Sequence, residues 1–353
     1  MRRLSSYIGR QVFFGISIVL LLIAGLDFLV NFEDELGAVK GQYTLTEVLI
    51  YTALTAPRRI VDFVPYAALI GCLVGLGSLA ASGEILVIRS AGVSTTRCVW
   101  MAMRPTLLFI LLALLATEYI SPLGEQLAQS RKATLRNVDN YLVSDDGVWH
   151  KDGNDYMHIG VVQSGGVLLG LSVFNFAKDG RLERVVYADR AIYLESKVWV
   201  LESGSVLNYA PNGGSKQNFT TRDWQTSLTP KLLNTIVLQP RQLSTTDLWR
   251  FISYRDAQGL QTEDFKLSFW RKVLQPLTTI SLVLIAISFV FGPLRQMAMA
   301  QRLFIGVATG VAFSMVQNML GPASLVYGFN PLISVLLPIV IVCIIGMYLL
   351  RRV

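Results

Sequence analysis

The sequence predicts a membrane protein with six α-helical spans and an all-β domain inserted between the third span and the fourth. Three observations carry that expectation. Apolar runs of membrane length fill residues 11–122 and 268–350, and the segment 123–267 between them contains none. The composition agrees: 52% of the 353 residues are hydrophobic and 16% are charged, where a water-soluble protein carries about 25% charged residues. Within 141–228 the apolar residues alternate with polar ones, and turn-forming clusters recur at short intervals, the pattern of strands.

The six spans are expected at roughly 12–32, 60–81, 100–120, 274–291, 303–320 and 331–350, each near the 17–25 residues a helix needs to cross a bilayer. Arg2, Arg3 and Arg10 precede the first run as they would in a signal peptide. The run continues for about 20 residues with no small-x-small site closing it, so a retained first span is expected. Leu4, Tyr7, Ile8 and Val12 fall at three- and four-residue spacing, which predicts a short interfacial helix before the chain turns inward. The domains are therefore read as 1–122, 123–267 and 268–353, with Leu123–Asn140 and Thr245–Phe269 as helical connectors.

Orientation follows from Lys and Arg in the short connections. Arg2, Arg3 and Arg10, then Arg89, Arg97 and Arg104, then Arg295 and Arg302, then Arg351 and Arg352 share one side. The acidic run Glu33-Asp34-Glu35 and the uncharged Gly321–Asn330 lie on the other. Both termini are expected in the cytoplasm and the central domain outside it, which in a bacterium with two membranes means the periplasm. The net charge of +7 then reflects cytoplasmic anchoring, not nucleic-acid binding.

In the central domain, Lys151-Asp152-Gly153-Asn154, Lys178-Asp179-Gly180 and Pro211-Asn212-Gly213-Gly214 separate short strands. The spacing fits a sandwich, a jelly roll or an open barrel. Cys72, Cys98 and Cys343 lie in or beside apolar spans, and His150 and His158 sit in a turn-rich stretch. Neither set has metal-ligand spacing, and no disulfide framework is expected. The chain holds no G-x-S-x-G, H-E-x-x-H or P-loop, so the β domain reads as a scaffold that binds or docks, not as an enzyme.

Two further features are chemical. The loop Ser82-Gly83-Glu84-Ile85-Leu86-Val87-Ile88-Arg89-Ser90-Ala91-Gly92 has a helix start at Ser82, four consecutive apolar residues and a stop at Gly92. It is expected to be a short helix across the membrane face, either docking into a soluble partner or only anchoring the loop. At the outer interface lie Arg58 and Arg59, Arg131, Lys132 and Arg136, and Arg271 and Lys272. Pro57 reads as a first helical residue, which would place Arg58 and Arg59 at the positive end of a helix dipole, a position that calls for an anion. These cations are candidates for phosphate contact, against the plainer reading of ordinary headgroups or pairing with Glu125, Asp62, Glu263 and Asp264. Asp27 is the one acid well inside a span, a gate or partner contact or an interfacial side chain. An ion-coupled transporter would need several such groups.

The 82–92 segment resembles the coupling helix of the LptF/LptG permeases of the lipopolysaccharide-export ABC transporter. Gly147-Val148-Trp149-His150-Lys151-Asp152-Gly153-Asn154 resembles the start of that family's β domain, and Phe289-Val290-Phe291-Gly292-Pro293-Leu294-Arg295 a block of its second half. Tyr7-Ile8-Gly9-Arg10, Gly124-Glu125-Gln126, Gln275-Pro276-Leu277 and Gly321–Gly328 follow in family order. Trp149-x-Lys151-Asp152-Gly153 looks more like the LptG branch than LptF.

The resemblance implies six spans with a periplasmic β-jellyroll, and a heterodimer of LptF and LptG on two copies of the ATPase LptB, with LptC and a periplasmic bridge. Such a permease draws lipopolysaccharide from the outer leaflet of the inner membrane; it binds no cofactor and no metal, and ATP and Mg act on the partner. By this match Ser82, Gly83, Glu84, Ile85, Ile88, Arg89 and Gly92 form the coupling segment, with Glu84 and Arg89 on the ATPase and Ile85 and Ile88 in its groove. The family also uses bases just past span one, where this chain has Asn31, Glu33, Asp34 and Glu35 and only Lys40 nearby. Spans one and five form lateral gates in the family. Here they present Asp27, Phe28, Asn31 and Phe32, and Gly306, Gly310, Phe313, Met315 and Met319. The alternatives are a paralogous LptF-type subunit or a membrane-tethered periplasmic scaffold or sensor.

Overall fold

A computed structural model describes residues 2–39, 42–136, 148–163, 167–177, 180–194, 198–210, 213–226, 240–257, 261–292 and 297–352. Lys40 lies outside the described residues, as do Arg295 and the side chain of Arg136. In chain order the helices are α1 (Arg2–Leu36), α2 (Leu45–Ala81), α3 (Glu84–Ser90), α4 (Thr95–Leu115), α5 (Ser121–Arg136), α6 (Thr245–Ala257), α7 (Glu263–Phe291), α8 (Met299–Tyr327) and α9 (Pro331–Arg351). A π turn, Ala116–Ile120, joins α4 to α5. Among the described residues, six helices are long and apolar enough to cross a membrane. Three precede the sheet in the chain and three follow it.

The chain divides into two compact units. The first comprises 1–34, 55–122 and 244–353. Its core joins Val12 and Ile16 of α1, Leu69, Leu73 and Leu76 of α2, Ala102 and Phe109 of α4, Leu282 and Ile285 of α7, Phe313 of α8 and Ile339 of α9. Where α1 crosses α2 the backbones nearly touch: a Cβ on Gly75 would lie 2.7 Å from the Gln11 carbonyl oxygen. Glycine there lets two helices close without side chains between them. Hydroxyls of Thr106, Thr278, Thr279, Ser281 and Ser288 donate to carbonyls three or four residues back, so these hydroxyls are satisfied inside their own helices.

Two expectations about helix limits need correction. The interfacial helix and first span are one unbroken helix, because nothing between Arg3 and Phe32 interrupts helical geometry. Likewise α2 starts at Leu45, so Pro57 is an interior residue and not the first of a helix. The preceding Leu45–Ala56 are ordinary helix formers, and an internal proline removes one backbone bond without ending a helix whose neighbours hold it.

The second unit comprises 35–54 and 123–243 and holds a six-stranded sheet. The strands are β1 (Val148–Asp152), β2 (Asp155–Gln163), β3 (Val167–Phe176), β4 (Leu182–Tyr193), β5 (Trp199–Ala210) and β6 (Gly213–Trp224). All pair antiparallel with their chain neighbours, in the order β1-β2-β3-β4-β5-β6. The described strands are thus an up-and-down meander without the crossovers of a jelly roll. Their short turns, such as Asp152–Asp155, leave no length for a crossover.

The ladder is interrupted along one transverse row. Gly160, Gly170, Asp189, Ser203 and Thr220 would face one another in turn, and every adjoining pairing skips them. Gly170 and Ser203 hold positive φ, 64° and 51°. On one side of the row the buried residues are Met157, Ile159, Leu171, Val173, Val186, Ala188 and Val206; on the other they are Leu168, Ala191, Leu201 and Trp199. The in-facing parity therefore switches in β3, β4 and β5 at the row. An irregular residue in each strand bends the sheet and keeps apolar side chains on the same concave face. The resulting core is drawn from the sheet itself.

Candidate functional site

The 82–92 segment folds as α3, seven residues with no buried side chain. Its start is not the expected one. Gly83 occupies the N-cap with φ 77°, while the Ser82 hydroxyl lies 3.0 Å from Glu84 Oε1 and 3.2 Å from the Leu79 carbonyl oxygen. Only glycine takes that left-handed turn without penalty. The stop is as expected: Gly92 has φ 82° and its N–H donates to the Arg89 carbonyl. Ile85 and Ile88, three apart and so on one face, pack against the helical core of the first unit. Leu86 and Val87 point away, 57% and 67% exposed. Glu84 lies in the first turn of α3, within hydrogen-bonding reach of Tyr7. The outward apolar face thus belongs to residues that the spacing argument passed over. Their signal was present in the four-residue apolar run, of which only half can face the membrane helices.

The candidate cations fall into two groups, one in each unit. In the first unit Arg59 meets Asp27 at 3.2 Å and donates to the Thr55 hydroxyl at 2.7 Å, and Arg58 meets Asp62 at 3.6 Å. Arg271 donates to the Gln317 carbonyl at 3.1 Å, joining α7 to α8, and Lys272 beside it is half-buried. In the second unit Arg131 grips Glu47 with two nitrogens, at 2.5 and 2.8 Å. Lys132 meets Glu35 at 2.5 Å and lies over the Tyr51 ring, 4.6 Å from its centre. Tyr43, buried, donates to the same Glu35 at 3.0 Å. Burial, then Glu35, push the Tyr43 phenol above its usual range. The anion that Arg58 and Arg59 were expected to need is supplied within the chain, by Asp62 and Asp27. Of the acids expected as partners, Asp62 fills that place; Glu125 accepts from Gln242, and Glu263 from the Thr262 N–H.

The gate candidates separate by burial. Phe28 and Phe32 stack with centres 6.5 Å apart, and Asn31 donates to the Asp27 carbonyl. Gly306, Gly310 and Phe313 are buried, the glycines against Leu73 and Leu69 of α2. Met315 and Met319 stand 62% and 72% exposed on the other face of α8. Helices α1 and α8 are the least covered: 17% of the most apolar window of each is buried, against 67% in α2.

The family model for the lipopolysaccharide export system permease LptF/LptG matches residues 6–352. The chain belongs to that family. It is 34% identical over 354 residues to the lipopolysaccharide export system permease protein LptG of Escherichia coli (strain K12), covering 99% of this chain and 98% of that one. It is 31% identical over 351 residues to the protein of the same name in Haemophilus influenzae (strain ATCC 51907 / DSM 11121 / KW20 / Rd), with the same coverage. Among the described residues this member of the LptF/LptG family has six apolar helices of membrane length and a separate β-sheet.

Proposed function

We propose that this chain is the LptG-type subunit of a lipopolysaccharide-export permease in the inner membrane of a bacterium with two membranes, with both termini cytoplasmic and the sheet in the periplasm. The observation that carries this reading is the identity of 31–34% to proteins named LptG along 99% of the chain. The chain works without its own nucleotide chemistry. An LptF-type partner completes the permease, two LptB-type ATPases supply the energy, and an LptC-type protein and a periplasmic bridge receive the lipid. ATP and Mg act on the ATPase alone.

The thinly covered faces of α1 and α8 support a partner on both sides, since the exposed stripe of α8, from Phe304 to Val316, is apolar and continuous. Phe28, Phe32, Met315 and Met319 then line the lateral openings. Leu86 and Val87 of α3, with Glu84 and Arg89, dock on the ATPase, while Ile85 and Ile88 pass its movement to the helical core. Lipid phosphates reach Arg58, Arg59, Arg131, Lys132, Arg136, Arg271, Lys272 and Lys40 by exchange with the carboxylates that hold several of them.

The test is reconstitution of the chain with its LptF-type and LptB-type partners in proteoliposomes. ATP should release lipopolysaccharide to a periplasmic acceptor, and omission of this chain should abolish release. Release that persists without it overturns the reading.

A further inference from the structure

The convex face of the sheet carries a surface with no part in the reading above. Directly paired residues in an antiparallel ladder share a face. Trp149 pairs with His158, Lys151 with Tyr156, and Tyr156 with Phe174, all opposite in parity to the buried Met157 and Val173. Trp149 stacks on Phe174 with centres 5.6 Å apart and lies 5.0 Å from His158. Yet Trp149 is 62% exposed and Tyr156 40% exposed. Tyr156 meets Phe176 edge-on at 5.4 Å, and the Lys151 ammonium sits 5.2 Å from the Tyr156 ring centre. The row ends in a cleft of about 360 Å³ lined by Lys151, Asn154, Tyr156 and Phe176, with Gly153 and Gly180 at its rim.

We propose that this aromatic row and its cleft bind an anionic saccharide. The C–H face of a pyranose ring is apolar and stacks on an exposed indole or phenol, whereas its hydroxyls need polar partners at the ring's edge. Trp149 and Tyr156 supply the faces. Asn154, whose amide N–H is spent on the Phe176 carbonyl at 3.2 Å, keeps its side-chain oxygen to accept from a hydroxyl. Lys151 supplies the charge for a carboxylate or phosphate on the sugar. A protein strand would pair along an edge of the sheet, whereas this surface lies on its face. The saccharide is the headgroup of the exported lipid; that source rests on the function proposed above, and the binding chemistry does not.

The experiment is saturation-transfer NMR on the full chain in lipid nanodiscs, with trigalacturonate as the charged probe and maltotriose as the neutral one. Transfer to both is expected, with the charged probe held more tightly. Lys151→Gln should weaken trigalacturonate about tenfold and leave maltotriose unchanged, because it removes one charge-assisted contact. Trp149→Ala should weaken both. If Trp149→Ala fails to fold, Lys151→Gln, at an exposed position, decides alone. No transfer to either probe, or unchanged binding in Lys151→Gln, overturns the proposal. Displacement of trigalacturonate by inorganic phosphate alone also overturns it, since the site would then hold a simple anion. None of these outcomes touches the ATP-driven release assay, so the two readings fail separately.

Discussion

At the scale of residues, the informative pairs are those that cross between helices. Asp27 and Arg59 are 19% and 13% exposed. A pair so placed resembles a buried one more than a surface one, and removing one partner strands the other. Arg59→Met should therefore cost about 1–3 kcal/mol, between the exposed and buried limits, read as a fall in the thermal midpoint in detergent. The double variant Asp27→Leu, Arg59→Met should recover most of the loss; no recovery would mean that the pair is not the cause. A second contact is sensitive to pH. Hydrogen bonds from Thr262, at 2.7 Å, and then from Lys266, at 3.1 Å, hold the Asp256 carboxyl below the usual carboxylate range. A lowered folded-state value favours the native state above the unfolded value of about 3.9, and that gain disappears as pH falls through the folded one. Carbon-detected NMR should show Asp256 titrating below about 3.9, and Thr262→Val should move it upward.

At the scale of elements, the sheet and α3 each depend on a left-handed backbone position. Gly170 accepts its φ of 64° freely, whereas Ser203 bears the same geometry with a side chain. Gly170→Ala should destabilise the β domain by about 1–2 kcal/mol and Ser203→Gly should cost little or stabilise, because an L residue in that region clashes with its own carbonyl. Equal effects in the two unfolding curves would show that the row does not bend the sheet. In α3 the inward and outward faces predict different phenotypes. Leu86→Ser and Glu84→Ala should lower substrate-stimulated ATPase activity of the complex several-fold without altering insertion. Ile88→Ser should instead reduce the amount of folded protein, since that side chain packs on the helical core. If Leu86→Ser and Glu84→Ala leave ATPase activity intact, α3 is an anchor only.

At the scale of the whole molecule, orientation is the claim on which export depends. In a variant lacking Cys72, Cys98 and Cys343, a cysteine at Lys151 should react in intact spheroplasts with a membrane-impermeant maleimide. One at Arg351 should react only after permeabilisation. The reverse result would place the sheet on the ATPase side and end the export reading.

The apolar runs, the short loop helix and the strand region were legible in the sequence because each is a one-dimensional pattern: run length, a stop glycine, alternation. Helix starts were less legible. Pro57 looked like a beginning only because sequence does not reveal that α2 is already helical twelve residues earlier. The site was legible by residue type and not by pairing. Arg58, Arg59, Arg131 and Lys132 were visible as cations, but their carboxylates at 62, 27, 47 and 35 are set by helix phase and crossing.

By itself, then, the sequence determined that this protein is a membrane chain with an inserted β region and a short helical loop, since hydropathy and period act locally along the chain. Tertiary structure alone decided which half of the 85–88 run faces outward and which cations are already neutralised. It also decided that a single meander bends along one row to make its own core. Each of those depends on which surfaces meet in space, and the free energy of that meeting is not written at any one position.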